Sequence, residues 1–341
     1  MRLKLLAALT AIYVISAAIW IVANGVVREN RENELLNVSY DPTRELWRDI
    51  NEKFISHYEQ DRGIKLSIRQ SHGGSGGQAG SVIGGLEADV VTLALWLDTD
   101  AIRKKGLIDE GWETRFPNRS LPYFSTIVFV VRKGNPKNIK DWNDLIQGDI
   151  SVITPNPKTS GNGKLSFIAA WGAVLRKGGS EEDAENFVRS LFERVSVLDA
   201  GARKATTTFA QNGIGDVHLT WENEAHLEIV ESGGQLELIY PSSSIRAEPH
   251  VALVDTNVRR KGTRAAAEAY LRFLYTDEAQ EIIARHYYRP SKESILEAHR
   301  DQLPSLDLFP ITTVAKDWDD AQNRFFADGG VFDAIYAKPK K

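Results

Sequence analysis

The residues best suited to chemistry in this sequence form a short glycine-bearing turn at positions 156–164. The β-branched residues 150–154 before it predict a strand, and apolar residues recur at helical spacing over 167–175 after it. A strand that enters a helix through such a turn leaves unpaired backbone N–H groups at the positive end of the helix dipole. Ser160 adds a hydroxyl, and Gly161 lets a ligand approach the main chain closely. The turn therefore predicts capture of an anion.

Two other interpretations of this turn have to be weighed. Ser160 could act only as the N-cap of an ordinary helix, because serine caps are common. A phosphate-binding P-loop requires G-x-x-x-x-G-K-[ST], but Gly163-Lys164 is followed by Leu165, and no glycine stands five positions before Gly163. The P-loop fits poorly, whereas the plain N-cap stays open. Recurrence of the same design elsewhere in the chain favours the anion site.

Similar turns and caps recur at other predicted strand ends. Asp41 and Pro42 follow a predicted strand as a natural N-cap and first helical residue. The small residues of 71–79 and 199–209 each lie between a predicted strand and a predicted helix, although a flexible linker is the alternative for 71–79. A further short strand ends at Trp221, for which ordinary core packing is the alternative.

The elements that must position these turns alternate between strands and helices, which predicts parallel sheets in an α/β fold. Two long extended stretches, 122–132 and 239–255, flank a central block and indicate two lobes joined by a hinge. Amphipathic helices are predicted over 181–194 and 263–285. In such sheets ligands bind outside the carboxyl ends of the strands, which is where the turns lie.

Composition excludes several classes of function. The chain of 341 residues has room for two domains, and its net charge of −4 argues against nucleic acid as a partner. There are no cysteines, which excludes disulfides, zinc–thiolate sites and thiol nucleophiles. The seven histidines are scattered without metal spacing, and His72 near Ser75 has no evident acid partner. We therefore expect no catalytic residue, no metal and no cofactor, although an exported enzyme using the same cleft is the alternative from another class.

The N-terminus resembles an export signal. Arg2 and Lys4 precede an uncharged apolar run over residues 5–23, with small residues that favour cleavage after Gly25. The run is long for a signal peptide and near the lower limit for a membrane span. An uncleaved membrane anchor is therefore an alternative, and the protein would then be a membrane-tethered sensor subunit. We expect an exported, periplasmic protein.

Four motifs together resemble the periplasmic sulfate-binding proteins of sulfate/thiosulfate ABC importers. They are NVSYDPTREL at 37–46, QSHGGSG at 70–76, ITPNPKTSG at 153–161 and WENEA at 221–225. The resemblance covers the chain after residue 33 and implies the type II two-lobed solute-binding fold, with each lobe a mainly parallel sheet flanked by helices. The expected divisions are a signal peptide or anchor at 1–25, lobe one at 34–122 plus 245–310, lobe two at 123–244, and a C-terminal segment packing on the lobes at 311–341.

The resemblance also implies the ligands of one sulfate ion. Lobe one would supply the Asp41 backbone N–H and the Ser75 hydroxyl, and lobe two would supply the rest. The ligands expected from lobe two are the Ser160 hydroxyl, the N–H groups of Gly161, Asn162 and Ala202, and the Trp221 indole N–H. Asn162 stands where the family usually has glycine, which narrows the backbone conformations available. The implied partner is an inner-membrane ABC permease, and we expect a monomer.

Such a ring of ligands is neutral, and all of its groups donate hydrogen bonds. Helix N-termini and N–H groups would replace the water of a dianion, so no Lys or Arg need touch it. We expect Lys158, Lys164 and Arg203, which lie near the turns, to be solvated or paired with carboxylates. A protonated oxyanion would bring a proton with no acceptor, which predicts about tenfold or greater discrimination. The alternative ligands are thiosulfate, molybdate or tungstate, and phosphate.

Overall fold

A computed structural model describes residues 33–336 together with Ser16. The predicted export segment, residues 1–25, therefore lies outside the described residues apart from Ser16. No helix in the described part of the chain is long and apolar enough to cross a membrane.

The described residues alternate between strands and helices, as the sequence predicts. The strands are β1 (Glu34–Tyr40), β2 (Ser67–Gly73), β3 (Val90–Thr92), β4 (Tyr123–Phe124), β5 (Ile127–Arg132), β6 (Val152–Ile153), β7 (Val195–Val197), β8 (Val217–Trp221), β9 (Leu236–Ile239), β10 (Ser244–Ile245), β11 (Val251–Leu253), β12 (Arg289–Pro290) and β13 (Leu308–Phe309). The α-helices are α1 (Arg44–Arg62), α2 (Ser75–Ile83), α3 (Trp96–Lys104), α4 (Gly161–Arg176), α5 (Glu181–Phe192), α6 (Ala202–Thr206), α7 (Glu222–Glu231), α8 (Asp255–Lys261), α9 (Arg264–Phe273), α10 (Asp277–Arg285), α11 (Glu293–Ala298), α12 (Trp318–Ala321) and α13 (Val331–Tyr336).

The first sheet has four strands in the order β11-β3-β1-β2. β1 is parallel to both β2 and β3, and β11 joins β3 antiparallel. The register pairs Tyr40 with Gly73, so β1 and β2 end side by side. The turns that follow these strands therefore emerge together at one edge of the sheet.

The second sheet has five strands in the order β7-β6-β8-β5-β9. β6 is parallel to β7 and to β8, whereas β5 lies antiparallel to β8 and β9. The chain enters this sheet at β5, directly from the first sheet and not from a helix of a βα unit. This route is the topological reason why β5 runs antiparallel to its neighbours. The carboxyl ends of β6, β7 and β8 consequently share the edge that faces the first sheet's turns.

Two crossing segments connect the sheets and run side by side. Ser125 and Ala247 exchange two backbone hydrogen bonds, with N···O distances of 3.0 and 2.9 Å. Thr126 Oγ1 donates to Ile245 O at 2.8 Å, and Ser244 Oγ donates to Ile127 O at 2.8 Å. These paired crossings lie in the two extended stretches from which the sequence predicts a hinge.

Separate apolar clusters support the two sheets, and the predicted helices pack on them. The helix predicted over 181–194 is α5, and the inward residues predicted for 263–285 are all at most 1% exposed: Ala267, Tyr270, Leu271, Leu274 and Ile282. Near the C-terminus, Phe325, Phe326 and Phe332 pack around Phe167 of α4. This part of the C-terminal segment is thus anchored to the second sheet.

Candidate anion-binding site

The turns at the carboxyl ends of both sheets meet around one small cavity with a volume of about 10 Å³. That volume is on the scale of one water-sized particle and far below the range for organic ligands, so the cavity suits a small guest. All of the predicted site residues line it: Asp41, Ser75, Ser160, Gly161, Asn162, Ala202 and Trp221.

The start of α4 presents several donors to this cavity. Ser160 is its N-cap, and the Ser160 hydroxyl accepts a long hydrogen bond of 3.4 Å from Gly163 N. Because the hydroxyl is an acceptor in that bond, its own hydrogen is left to donate. The N–H groups of Gly161 and Asn162 are the first two of the helix and have no intrahelical acceptor. The predicted N-cap is therefore confirmed, and the anion site stays a prediction for N–H groups that begin a helix at the cavity wall.

Close packing explains two of the glycines in this turn. A Cβ atom at Gly163 would lie 2.4 Å from Pro155 O, and one at Gly161 would lie 2.9 Å from Ala94 Cβ. Asn162, by contrast, has a helical backbone and needs no glycine. Its side chain turns toward β8, where Nδ2 donates to Leu219 O at 3.0 Å. The Asn162 side chain is thereby held on the strand, and its backbone N–H is left for the cavity.

Ser75 departs from its predicted role. It is the first residue of α2, and its hydroxyl donates to Asp98 Oδ2 at 2.5 Å while accepting from Ala94 N at 3.0 Å. A hydroxyl has one hydrogen, so the predicted donation to a ligand in the cavity is not available in this arrangement. The donor that Ser75 retains is its backbone N–H at the helix start.

The predicted N-cap role of Asp41 is wrong. Residues Asp41–Thr43 form a 3₁₀ turn before α1, and the Asp41 side chain makes no cap bond. Its carboxylate instead accepts from Arg44 Nη2 at 2.6 Å. The extra turn places the carboxylate beside a cation three residues ahead rather than over the helix N–H groups. The Asp41 backbone N–H nevertheless opens this turn at the cavity wall.

Ala202 and Trp221 complete the wall from the second sheet. Ala202 is the first residue of α6, so its N–H has no intrahelical acceptor. Trp221 ends β8, is 1% exposed and packs against Tyr40 with ring centroids 5.3 Å apart. Within residues 33–336 no acceptor is paired with its indole N–H. The core interpretation of Trp221 is confirmed, and its role as a ligand stays a prediction for a residue that lines the cavity.

The charged groups near the site are engaged elsewhere, and no Lys or Arg is among the described residues that line the cavity. Lys158 pairs with Asp333 at 2.8 Å, and Arg203 pairs with carboxylates, as predicted. Lys164 differs because its Nζ donates to the neutral Gln322 Oε1 at 2.8 Å. Burial raises the pKa of the Asp98 carboxyl, while Lys164 and the Ser75 hydroxyl act in the opposite direction.

The sequence analysis missed the two residues that hold the Ser75 hydroxyl, Ala94 in the cavity wall and Asp98 beside it. Both follow β3, whose carboxyl end lies at the same edge as those of β1 and β2. The rule that ligands gather at such edges could have drawn attention to them. The spacing gives no sign, however, that Asp98 would accept the hydrogen bond of the Ser75 hydroxyl.

The two edges touch around the cavity. Asn223 Nδ2 donates to Pro42 O at 3.2 Å, joining α7 to the turn before α1. On another side, a Cβ atom at Gly74 would lie 3.1 Å from Thr159 O, so the two backbones are in near contact there. The cavity is therefore enclosed by turns from both sheets.

Comparison with known proteins agrees with this geometry. The family model of bacterial extracellular solute-binding proteins matches residues 38–289. The sulfate-binding protein of Salmonella typhimurium is 53% identical over 307 residues, which are 89% of this chain and 93% of that protein. The thiosulfate-binding protein of Pseudomonas aeruginosa is 50% identical over 305 residues, covering 89% and 92% of the two chains.

A solved structure extends the comparison to the fold. The sulfate-binding protein SubI from Mycobacterium tuberculosis superposes with a TM-score of 0.78 at 31% identity, covering 86% of this chain and 99% of that one. The type II solute-binding fold predicted from the sequence is thereby confirmed. The chain belongs to the sulfate-binding protein family of the bacterial extracellular solute-binding proteins.

Proposed function

We propose that this protein binds sulfate as the fully ionised dianion and delivers it to an ABC permease. The observation that carries the proposal is the small cavity between the two sheets, whose available donors are neutral: helix-start N–H groups, one hydroxyl and one indole N–H. Burying a dianion without hydrogen bonds would cost far more than closure supplies. Donors fixed in place, with helix dipoles behind them, replace its hydration.

The proposed ligands are the predicted set with one change. Ser160 would donate its hydroxyl and Trp221 its indole N–H. The remaining contacts would be backbone N–H groups, now including that of Ser75 in place of its hydroxyl: Asp41, Ser75, Gly161, Asn162 and Ala202. The proton of a protonated ligand would face only hydrogen-bond donors and would find no acceptor. We therefore expect the affinity for hydrogen phosphate to be about tenfold or more below that for sulfate.

The lobes that close on the ion would be residues 34–122 plus 245–310 and residues 123–244. The paired crossings around Ser125 and Ala247 would serve as the hinge. Residues 311–341 would form the segment that packs on the lobes. We infer that residues 1–25 direct export to the periplasm, and that the closed monomer docks to the inner-membrane permease. The protein would carry and release its ligand unchanged, with no enzymatic step.

Titration of purified residues 26–341 with sulfate, thiosulfate and hydrogen phosphate tests the proposal. We expect sulfate to bind in calorimetry and to raise the melting temperature, because a ligand present at 100 times its Kd stabilises the fold by about 2.7 kcal/mol. Hydrogen phosphate should give no comparable shift. Tighter binding of thiosulfate would favour the alternative ligand, and binding of none of the three anions would refute the function.

A further inference from the structure

A charged cluster beside the cavity joins the two proposed lobes. Arg203 Nη2 lies 3.2 Å from Glu45 Oε2 and 3.1 Å from Glu224 Oε1. Glu45 belongs to α1 at the first sheet, whereas Arg203 and Glu224 belong to α6 and α7 at the second. One guanidinium thus shares its charge between a carboxylate of its own lobe and a carboxylate of the other.

The two pairs differ in burial. The Glu224 side chain is 1% exposed, whereas those of Glu45 and Arg203 are 35% and 29% exposed. Burial raises the pKa of Glu224 to about 8, and the charge of Arg203 acts against that rise. Both partners belong to the second lobe, and Glu224 is buried there, so this contact does not depend on the position of the other lobe. The pair with Glu45 can exist only while the lobes are in contact.

The cluster adjoins two of the proposed sulfate contacts. Arg203 directly follows Ala202, and Glu45 lies one turn after Asp41. Opening of the lobes far enough to release an ion from between these two contacts would also separate Glu45 from Arg203.

Another interlobe ion pair occupies a different position. Arg289 and Glu222 form a fully buried, bidentate pair with N···O distances of 2.7 and 2.8 Å. Glu222 N also donates to Thr126 O at 3.1 Å, on the first crossing segment. This pair lies at the hinge, where a rotation moves groups least, so it can stay intact in both forms. Arg176 and Asp307 also pair across the proposed boundary, at 2.8 Å, but at the end of α4 that is remote from the cavity. Among the ion pairs between the proposed lobes within residues 33–336, the Glu45–Arg203 pair is the one that adjoins the proposed sulfate contacts, so it is placed to report on closure.

We propose that Glu45 and Arg203 form a latch that holds the lobes closed and lengthens the time for which sulfate is retained. The latch rests on the proposed function. Glu45 would be a positioning residue, since its carboxylate acts on the ion only through closure. Removal of Arg203 would also take away the hydrogen-bond donor of the buried Glu224 carboxyl, so Glu45 is the residue to change.

The test compares sulfate release from the wild type, Glu45→Gln and Glu34→Gln. Glu34 is a matched control, because it pairs with Arg69 at 3.0 Å within the first sheet. Release of radiolabelled sulfate is followed in an excess of unlabelled sulfate, and association is measured separately. We expect Glu45→Gln to speed release about 1.5- to fivefold with little change in association. High salt should narrow the difference, because the pair is partly exposed.

The outcomes separate the latch from the function. If the wild type binds sulfate but releases it at the same rate as Glu45→Gln, the latch alone is overturned. An equal acceleration in Glu34→Gln would also overturn it, because the effect would then come from net charge. No sulfate binding by the wild type would overturn the function and the latch together. The melting temperatures of the sulfate-free proteins check that each variant is folded.

Discussion

Replacement of Ser160 by alanine is the most direct test of the proposed donor ring. The substitution removes the hydroxyl that we propose as a sulfate donor, and it also removes the acceptor for Gly163 N. A hydrogen bond to a charged group contributes about 1.5–3 kcal/mol. Loss of that amount weakens sulfate binding by about 10- to 150-fold.

The effect on the fold should be smaller. Loss of a serine N-cap costs about 0.5–2 kcal/mol of stability. The hydrogen bond from Gly163 N to Ser160 is long, at 3.4 Å, so we expect a cost toward the low end of that range. Ser180→Ala is a matched control, because Ser180 caps α5 by accepting from Asp183 N at 3.1 Å. This control should lose comparable stability while it keeps its affinity for sulfate.

Calorimetric titration with sulfate and urea unfolding of both variants would separate the two effects. An affinity for Ser160→Ala within twofold of the wild type would refute the role of the hydroxyl. A drop in affinity of equal size in Ser180→Ala would assign the effect to helix stability instead.

Two further predictions concern the fold. Burial lowers the pKa of His226 to about 4, whereas the pKa of an unfolded histidine is about 6.5. Between these two pH values the unfolded chain binds a proton that the folded chain does not. The free energy of unfolding therefore falls as the pH falls from about 6.5 toward 4, by up to about 1.4 kcal/mol per pH unit. His226→Gln should flatten this slope in urea unfolding, and an unchanged slope would contradict the assignment. Gly163→Ala should destabilise by about 3 kcal/mol, because its Cβ would lie 2.4 Å from Pro155 O. Gly77→Ala, in the open on α2, should not destabilise, and equal losses from the two alanines would refute the steric explanation.

Much of the architecture follows from local patterns. Alternating strands and helices, with small residues where strands end, are enough to indicate two lobes and a ligand edge. The start of α4 is the clearest case, since Ser160 and Gly161 carry both the helix cap and the anion geometry in adjacent positions. Parallel strands bring such turns together whatever their separation in sequence.

What could not be predicted depends on contacts between distant residues. Whether the Ser75 hydroxyl faces a ligand or Asp98 is decided by packing of α2 against α3, which no local pattern encodes. Asp41 has the residue type and position of an N-cap, but an added 3₁₀ turn brings it beside Arg44 instead. The antiparallel placement of β5 likewise follows from where the chain crosses between sheets.

The strand order also bears on how the chain is made. The strands of the second sheet all lie between residues 127 and 239, so that sheet can assemble from one continuous stretch. The first sheet needs β11, at Val251–Leu253, to cover β3. In a nascent chain growing from its amino end, the apolar edge strand at Val90–Thr92 therefore stays unpaired until the whole second lobe has been synthesised. A product truncated before β11 keeps that unpaired, aggregation-prone edge permanently.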